Sequence, residues 1–159
     1  MLSFITLGQI IKPFLFVAVF LFLSSISLIY NRWLKVSIGI EFITFSTVMT
    51  ARAYGGLLGG LVGFFGLATA EVLGTGFNAK TVISLLAIFL MGMITPFFNG
   101  IHITTAGMLI AVFYDLLIIP LYLIAGSNPV RSAVFVITHL IFNAWLFVFI
   151  APRLELLMS

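Results

Sequence analysis

Four residues able to take part in acid–base chemistry or strong hydrogen bonding lie inside apolar runs. They are Glu41 in "SIGIEFITFS", Asp115 in "AVFYDLLII", and His139 with Asn143 in "ITHLIFNAW". A carboxylate in hydrocarbon costs about 2.5–3.5 kcal/mol on insertion scales, so each acid asks for a reason. Asp115 falls near the middle of its apolar run, beside Tyr114. Glu41 would lie about seven residues into a helix, roughly 10 Å deep at 1.5 Å per residue. His139 and Asn143 are four apart and share a helical face. They can hydrogen-bond a ligand or tie their helix to Asp115 or Glu41. The chemistry on offer is recognition of a small polar solute, a proton or ion path, or a purely structural hydrogen-bonded acid. Glu71, at the end of another run, reads as an acid that reaches the interface.

Other chemistry finds little footing. There is no cysteine, which removes thiolate catalysis and cysteine-held metals. The two histidines, His102 and His139, stand in different segments with no HxxxH or HExxH spacing, so no metal site is expected. Ser24, Ser25 and Ser27 have no histidine near them in sequence, and serines in such helices commonly bond their own backbone. No phosphate loop is present. The chain reads as a non-enzyme without catalytic residues or cofactor, and nothing in its scattered +3 charge indicates a nucleic-acid partner.

The elements that must position these residues follow from composition. The chain is 63% hydrophobic and 7% charged over 159 residues, with a mean hydropathy of +1.34. Soluble domains carry roughly 25% charged residues, so this chain is expected to be an integral membrane protein with the lipid bilayer as its solvent. At about 20 residues per span, the length suits an all-α bundle of about six transmembrane helices, a multi-pass protein of the cell membrane. The spans are expected at about 13–30, 34–51, 54–73, 81–97, 101–125 and 131–151, forming one domain over 13–153. Residues 1–12 form a lead ending at Lys12-Pro13, and 154–159 a tail. Basic residues divide three (Lys12, Arg52, Arg153) against four (Arg32, Lys35, Lys80, Arg131) across the two sides, so they do not set an orientation. Arg52 reads as an interfacial anchor.

The densest pattern is "YGGLLGGLVGFFG" at 54–66. At helical spacing Gly55, Gly59 and Gly63 form one row and Gly56 and Gly60 a second beside it. Small residues let helix backbones approach in lipid, so this face is expected to pack against another helix or to dock a partner protein.

This order of features resembles the substrate-binding S components of energy-coupling-factor vitamin transporters, and the similarly folded MreD family of small six-helix membrane proteins. The features are an acid in the second helix, the glycine-rich third helix "AYGGLLGGLVGFFG", a loop, a fourth helix ending near Pro96, and two more spans. The resemblance implies a ligand pocket opening to the outer side and a partner that supplies ATP hydrolysis. Matched by position, it places the loop Gly74 to Lys80, with Asn78, and the pair His139 and Asn143 nearest that pocket. One departure bears on the partner. The Ala-x-x-x-Ala docking motif of such first helices is missing from "FLFVAVFLFLSSISL", which has the single alanine Ala18. Two readings result: a binding or transport subunit for a small polar or vitamin-like solute, or a non-catalytic subunit of a larger membrane assembly. A proton or ion path through Glu41, Asp115 and His139 is a third.

Overall fold

A computed structural model describes residues 7–34, 38–74 and 76–158. Helices make up nearly all of these residues, with no strand among them. They are α1 (Leu7–Ile26), the single turn α2 (Asn31–Leu34), α3 (Ile43–Tyr54), α4 (Gly56–Leu73), α5 (Ala79–Ile94), α6 (Ile103–Ile124), α7 (Pro129–Trp145) and α8 (Ala151–Met158). A 3-10 turn (Thr95–Phe98) follows α5, and a π turn (Leu146–Ile150) joins α7 to α8.

Among the described residues, five stretches are long and apolar enough to cross a membrane: Ile11–Leu34, Gly56–Leu73, Ala79–Phe98, Ile103–Ile124 and Pro129–Met158. Their outer faces are oily as well, with Phe14, Phe22, Leu116, Ile137 and Ile141 all exposed. The second expected span, 34–51, takes another form. Residues 38–42 are non-helical, and α3 has only 12 residues, about 18 Å against a hydrocarbon core of about 30 Å. Two local causes set these limits. The Glu41 carboxylate accepts from the amides of Ile43 and Thr44, which starts the helix late. Gly55 then ends it with φ +101° and open space around it, a conformation that favours glycine.

The helix α3 is sheathed by the rest of the fold. Every residue from Ile43 to Ala51 is buried, including Thr44, Ser46, Thr47 and Thr50. A helix this polar on all sides could not face lipid alone; Thr47 returns its hydroxyl to the Ile43 carbonyl at 2.7 Å. The preceding segment leans on side chains for its backbone bonds, since Gly39 N donates to Thr138 Oγ1 (2.7 Å), Phe42 N to Ser27 Oγ (3.0 Å), and the Tyr30 hydroxyl to the Ile38 carbonyl. Irregular backbone is tolerated among apolar helices only where protein satisfies it in this way.

The ends of the chain also differ from expectation. The lead and the first span are one helix from Leu7, so Pro13 sits inside α1 rather than in its first turn, where it removes one backbone hydrogen bond. Residues 1–6 of the lead and Ser159 of the tail lie outside the described residues, as does Lys35. The expected tail is the helix α8. Its Glu155 pairs with Arg52 at 2.7 Å, and Arg52 also donates to the Phe98 and Ile101 carbonyls at 2.9 and 2.8 Å. Arg52 therefore fastens α3 to the turn region at 98–101 and to α8. The π turn precedes Pro152, whose ring and missing N–H conflict with an unbroken α-helical ladder. Thr104 of α6 donates to the Phe147 carbonyl of that turn at 2.7 Å, and the Phe147 ring lies directly over Gly107.

The helix α4 lies at the centre of the other half. A β-carbon on Gly59 would stand 2.6 Å from the Ala51 backbone of α3, and one on Gly60 2.9 Å from the Phe89 carbonyl of α5. Gly63 meets Thr47 of α3 and Ile88 of α5, Gly56 approaches the backbone of Gly92 and Met93 in α5, and Gly66 meets Ser24 of α1. The two glycine rows therefore face two different helices of this chain. Gly55, counted in sequence with the first row, is the turn into α4 and packs against nothing.

Candidate functional site

Three separate elements bring Glu41, Asp115 and His139 to one point. The segment 38–42 carries Glu41, the middle of α6 carries Asp115, and the middle of α7 carries His139. The His139 Nδ1 lies 2.9 Å from Asp115 Oδ2, and its Nε2 lies 3.1 Å from Glu41 Oε1. Thr44 Oγ1, on the second residue of α3, is 3.2 Å from the same Nε2. All four side chains are buried, His139 completely.

The approach of segment 38–42 to α7 depends on Gly39. A β-carbon there would fall 2.6 Å from the His139 Cα and closer still to its Cβ, so a side chain at this position would push Glu41 away from the imidazole. Glu41 spends its other bonds on the first turn of α3, where its carboxylate lies at the positive end of the helix dipole. The imidazole is clamped from its faces as well. The Phe135 ring stacks on it at 5.4 Å with a 12° interplanar angle, and Tyr114 stands 5.6 Å away. Phe42 and Phe142 meet edge to face at 5.4 Å on the neighbouring turns.

Two carboxylates meet a single imidazole at this junction, and each N···O contact of His139 is bridged by one proton. The sequence supplies no Lys or Arg at 36–51, 81–130 or 132–152, the stretches that build the junction. Its hydrogen bonding is also incomplete: among the described residues, Asp115 Oδ1 is a buried acceptor without a partner, as is Asn143 Oδ1 one turn along α7.

Comparison with family models, with curated proteins and with solved structures finds no match. The reading of this junction therefore rests on its own geometry.

The sequence-derived candidates separate into three groups. Glu41, Asp115 and His139 meet directly. Asn143 lies one turn along α7 and donates to the His139 carbonyl at 3.0 Å, so its amide steadies the turn that holds His139. Asn78 does something else. Its Oδ1 accepts from the amides of Lys80 (2.9 Å) and Thr81 (3.4 Å), while Thr81 Oγ1 accepts from Asn78 N, a capping box that starts α5. Glu41, expected seven residues inside a helix, instead precedes the first turn of α3. Gly39, Thr44 and Thr138 escaped notice in the sequence. The one available signal was Gly39 two residues before an acid, in a stretch otherwise free of glycine. The described residues contain no grouping of three or more His, Cys, Asp or Glu fit to hold a metal ion.

Proposed function

We propose that this chain is a multi-pass protein of the cell membrane that binds a small polar solute and serves as the binding subunit of a transport system. The observation that supports this most is the convergence of Glu41, Asp115 and His139, from three different elements, on one buried point with acceptors left over. Membrane proteins seldom bury ionisable groups without a functional use, and solute sites commonly sit where a helix is interrupted deep in the bundle. The 12-residue α3, starting at Glu41, is such an interrupted helix.

In this reading the solute reaches the junction when segment 38–42 moves off α7. That segment is held there by few polar contacts, chiefly Gly39 N to Thr138 and Glu41 to His139. The chain has no phosphate loop, so energy for transport would come from a partner protein, as the resemblance to S components implies. The fastening of the Arg52 end to Glu155 and two carbonyls gives the moving part a fixed frame.

The test is gentle extraction from native membranes followed by mass spectrometry of whatever accompanies the protein. A small solute at near-equal stoichiometry is the expected result. Partner subunits at fixed stoichiometry with no solute would favour the assembly reading instead.

A further inference from the structure

Resting on the solute-binding reading, we infer that the solute is a small organic cation, recognised through an ammonium or similar donor-bearing group. Three independent features of the junction point this way. The first is charge: two carboxylates share one imidazole, and no Lys or Arg occurs in the surrounding sequence. An anionic solute would meet two carboxyl groups with no permanent cation to offset it, whereas a cation can be paired there. The second is hydrogen-bond polarity. The unmet groups, Asp115 Oδ1 at the junction and Asn143 Oδ1 one turn along α7, are acceptors, and an ammonium group has donors and no acceptors. Both residues are at least nine-tenths buried, so bulk water does not satisfy them.

The third feature is the wall. Phe135 and Tyr114 flank the imidazole that joins the two carboxylates, and Phe42, next to Glu41 in the chain, packs on Phe142; aromatic faces attract desolvated cations. The charged and titratable groups about Asp115 are His139 from α7, bonded to it, Glu41 from the segment before α3, bonded to the same imidazole, and its chain neighbour Tyr114, which packs on that imidazole; Ser84 of α5 bonds Tyr122 of α6. None of them supplies a permanent positive charge. His139 orients both carboxylates and leaves Asp115 Oδ1 for the incoming donor.

A charge series on one shape tests this. The purified full chain in lipid nanodiscs is heated with millimolar benzylammonium, benzyl alcohol or benzoate, with sodium chloride at equal concentration as a fourth arm. Benzylammonium is expected to raise the apparent Tm by several degrees, because a ligand that binds only the folded state stabilises it. Neither the alcohol nor the anion should do so, and the shift should vanish in both Asp115→Asn and Glu41→Gln. Two variants are used so that misfolding of one leaves the other to decide.

An equal or larger shift with benzoate or benzyl alcohol would overturn the cation inference and leave solute binding standing. The same shift with sodium alone would assign the site to a metal cation and overturn it too. No shift with any of the four, beside a neutral or anionic solute recovered from native membranes, would refute the inference and keep the function. No shift and no recovered solute would remove both.

Discussion

The two ends of α3 solve opposite problems. Near its C-terminus and along α4, Gly59 brings the α3 backbone close and Gly63 receives the Thr47 side chain, while Gly56 and Gly60 bring the α5 backbone close. The packing between these glycine faces is tight, and the charges at that end, Arg52 and Glu155, are paired with each other. At the N-terminus of α3, two carboxylates and a histidine meet with acceptors unmet. The first arrangement is what helices need when lipid gives them no hydrophobic drive to associate. The second costs stability, because buried charges repay their desolvation only when fully paired. A close crossing therefore holds one end of a short helix while the other end meets the buried ionisable groups.

That contrast can be broken most forcefully at His139. His139→Ala leaves Glu41 and Asp115 facing each other without their shared partner, and should lower stability by about 3–5 kcal/mol, read as apparent unfolding temperature in detergent. Restoring stability by adding Asp115→Asn and Glu41→Gln to that variant would place the loss in the unpaired charges rather than in lost packing. Gly59→Leu attacks the other region. The new side chain has to displace the Ala51 backbone, with an expected loss of about 1–3 kcal/mol or more. It should reduce solute retention only in proportion to the unfolded fraction.

A subtler change separates the two regions by dynamics. Thr138→Val removes the acceptor of the Gly39 amide, costing about 1–3 kcal/mol for the unsatisfied donor. Hydrogen exchange at Gly39 should accelerate while amides of α4 stay protected. Equal acceleration in both would mean that segment 38–42 and the glycine crossing open as one unit. The smallest effect is expected at Glu155→Gln. The Glu155 carboxylate is about one-third exposed, so the loss should be below about 1 kcal/mol.

The sequence made the coarse architecture legible because composition and span length constrain it strongly. The glycine spacing likewise marked α4 as a helix approached closely by others. It could not divide its rows between α3 and α5, since that depends on which neighbours tertiary packing supplies. The short α3 was hidden because "IGIEFITFSTVMTARAY" is apolar enough to pass for a full span; the start at Ile43 is set by Glu41 turning back onto its own chain. Glu41, Asp115 and His139 stood out individually as ionisable groups in oil. Their meeting depends on Gly39, whose importance rests on a contact 100 residues away along the chain. Asn78 misled because an asparagine in a glycine-containing loop serves a ligand or a helix cap equally well by type. The difference lies in Thr81, three residues on.

The central claim is that the junction, and not buried charge in general, holds the solute. It is tested most directly by solute retention after gentle extraction, compared between the native chain, Asp115→Asn and Glu155→Gln. Each substitution removes one carboxylate, one at the junction and one at the Arg52 fastening. The account predicts that Asp115→Asn loses the solute while Glu155→Gln keeps it at the native ratio. Retention in a folded Asp115→Asn protein, or equal loss in both variants, would contradict it.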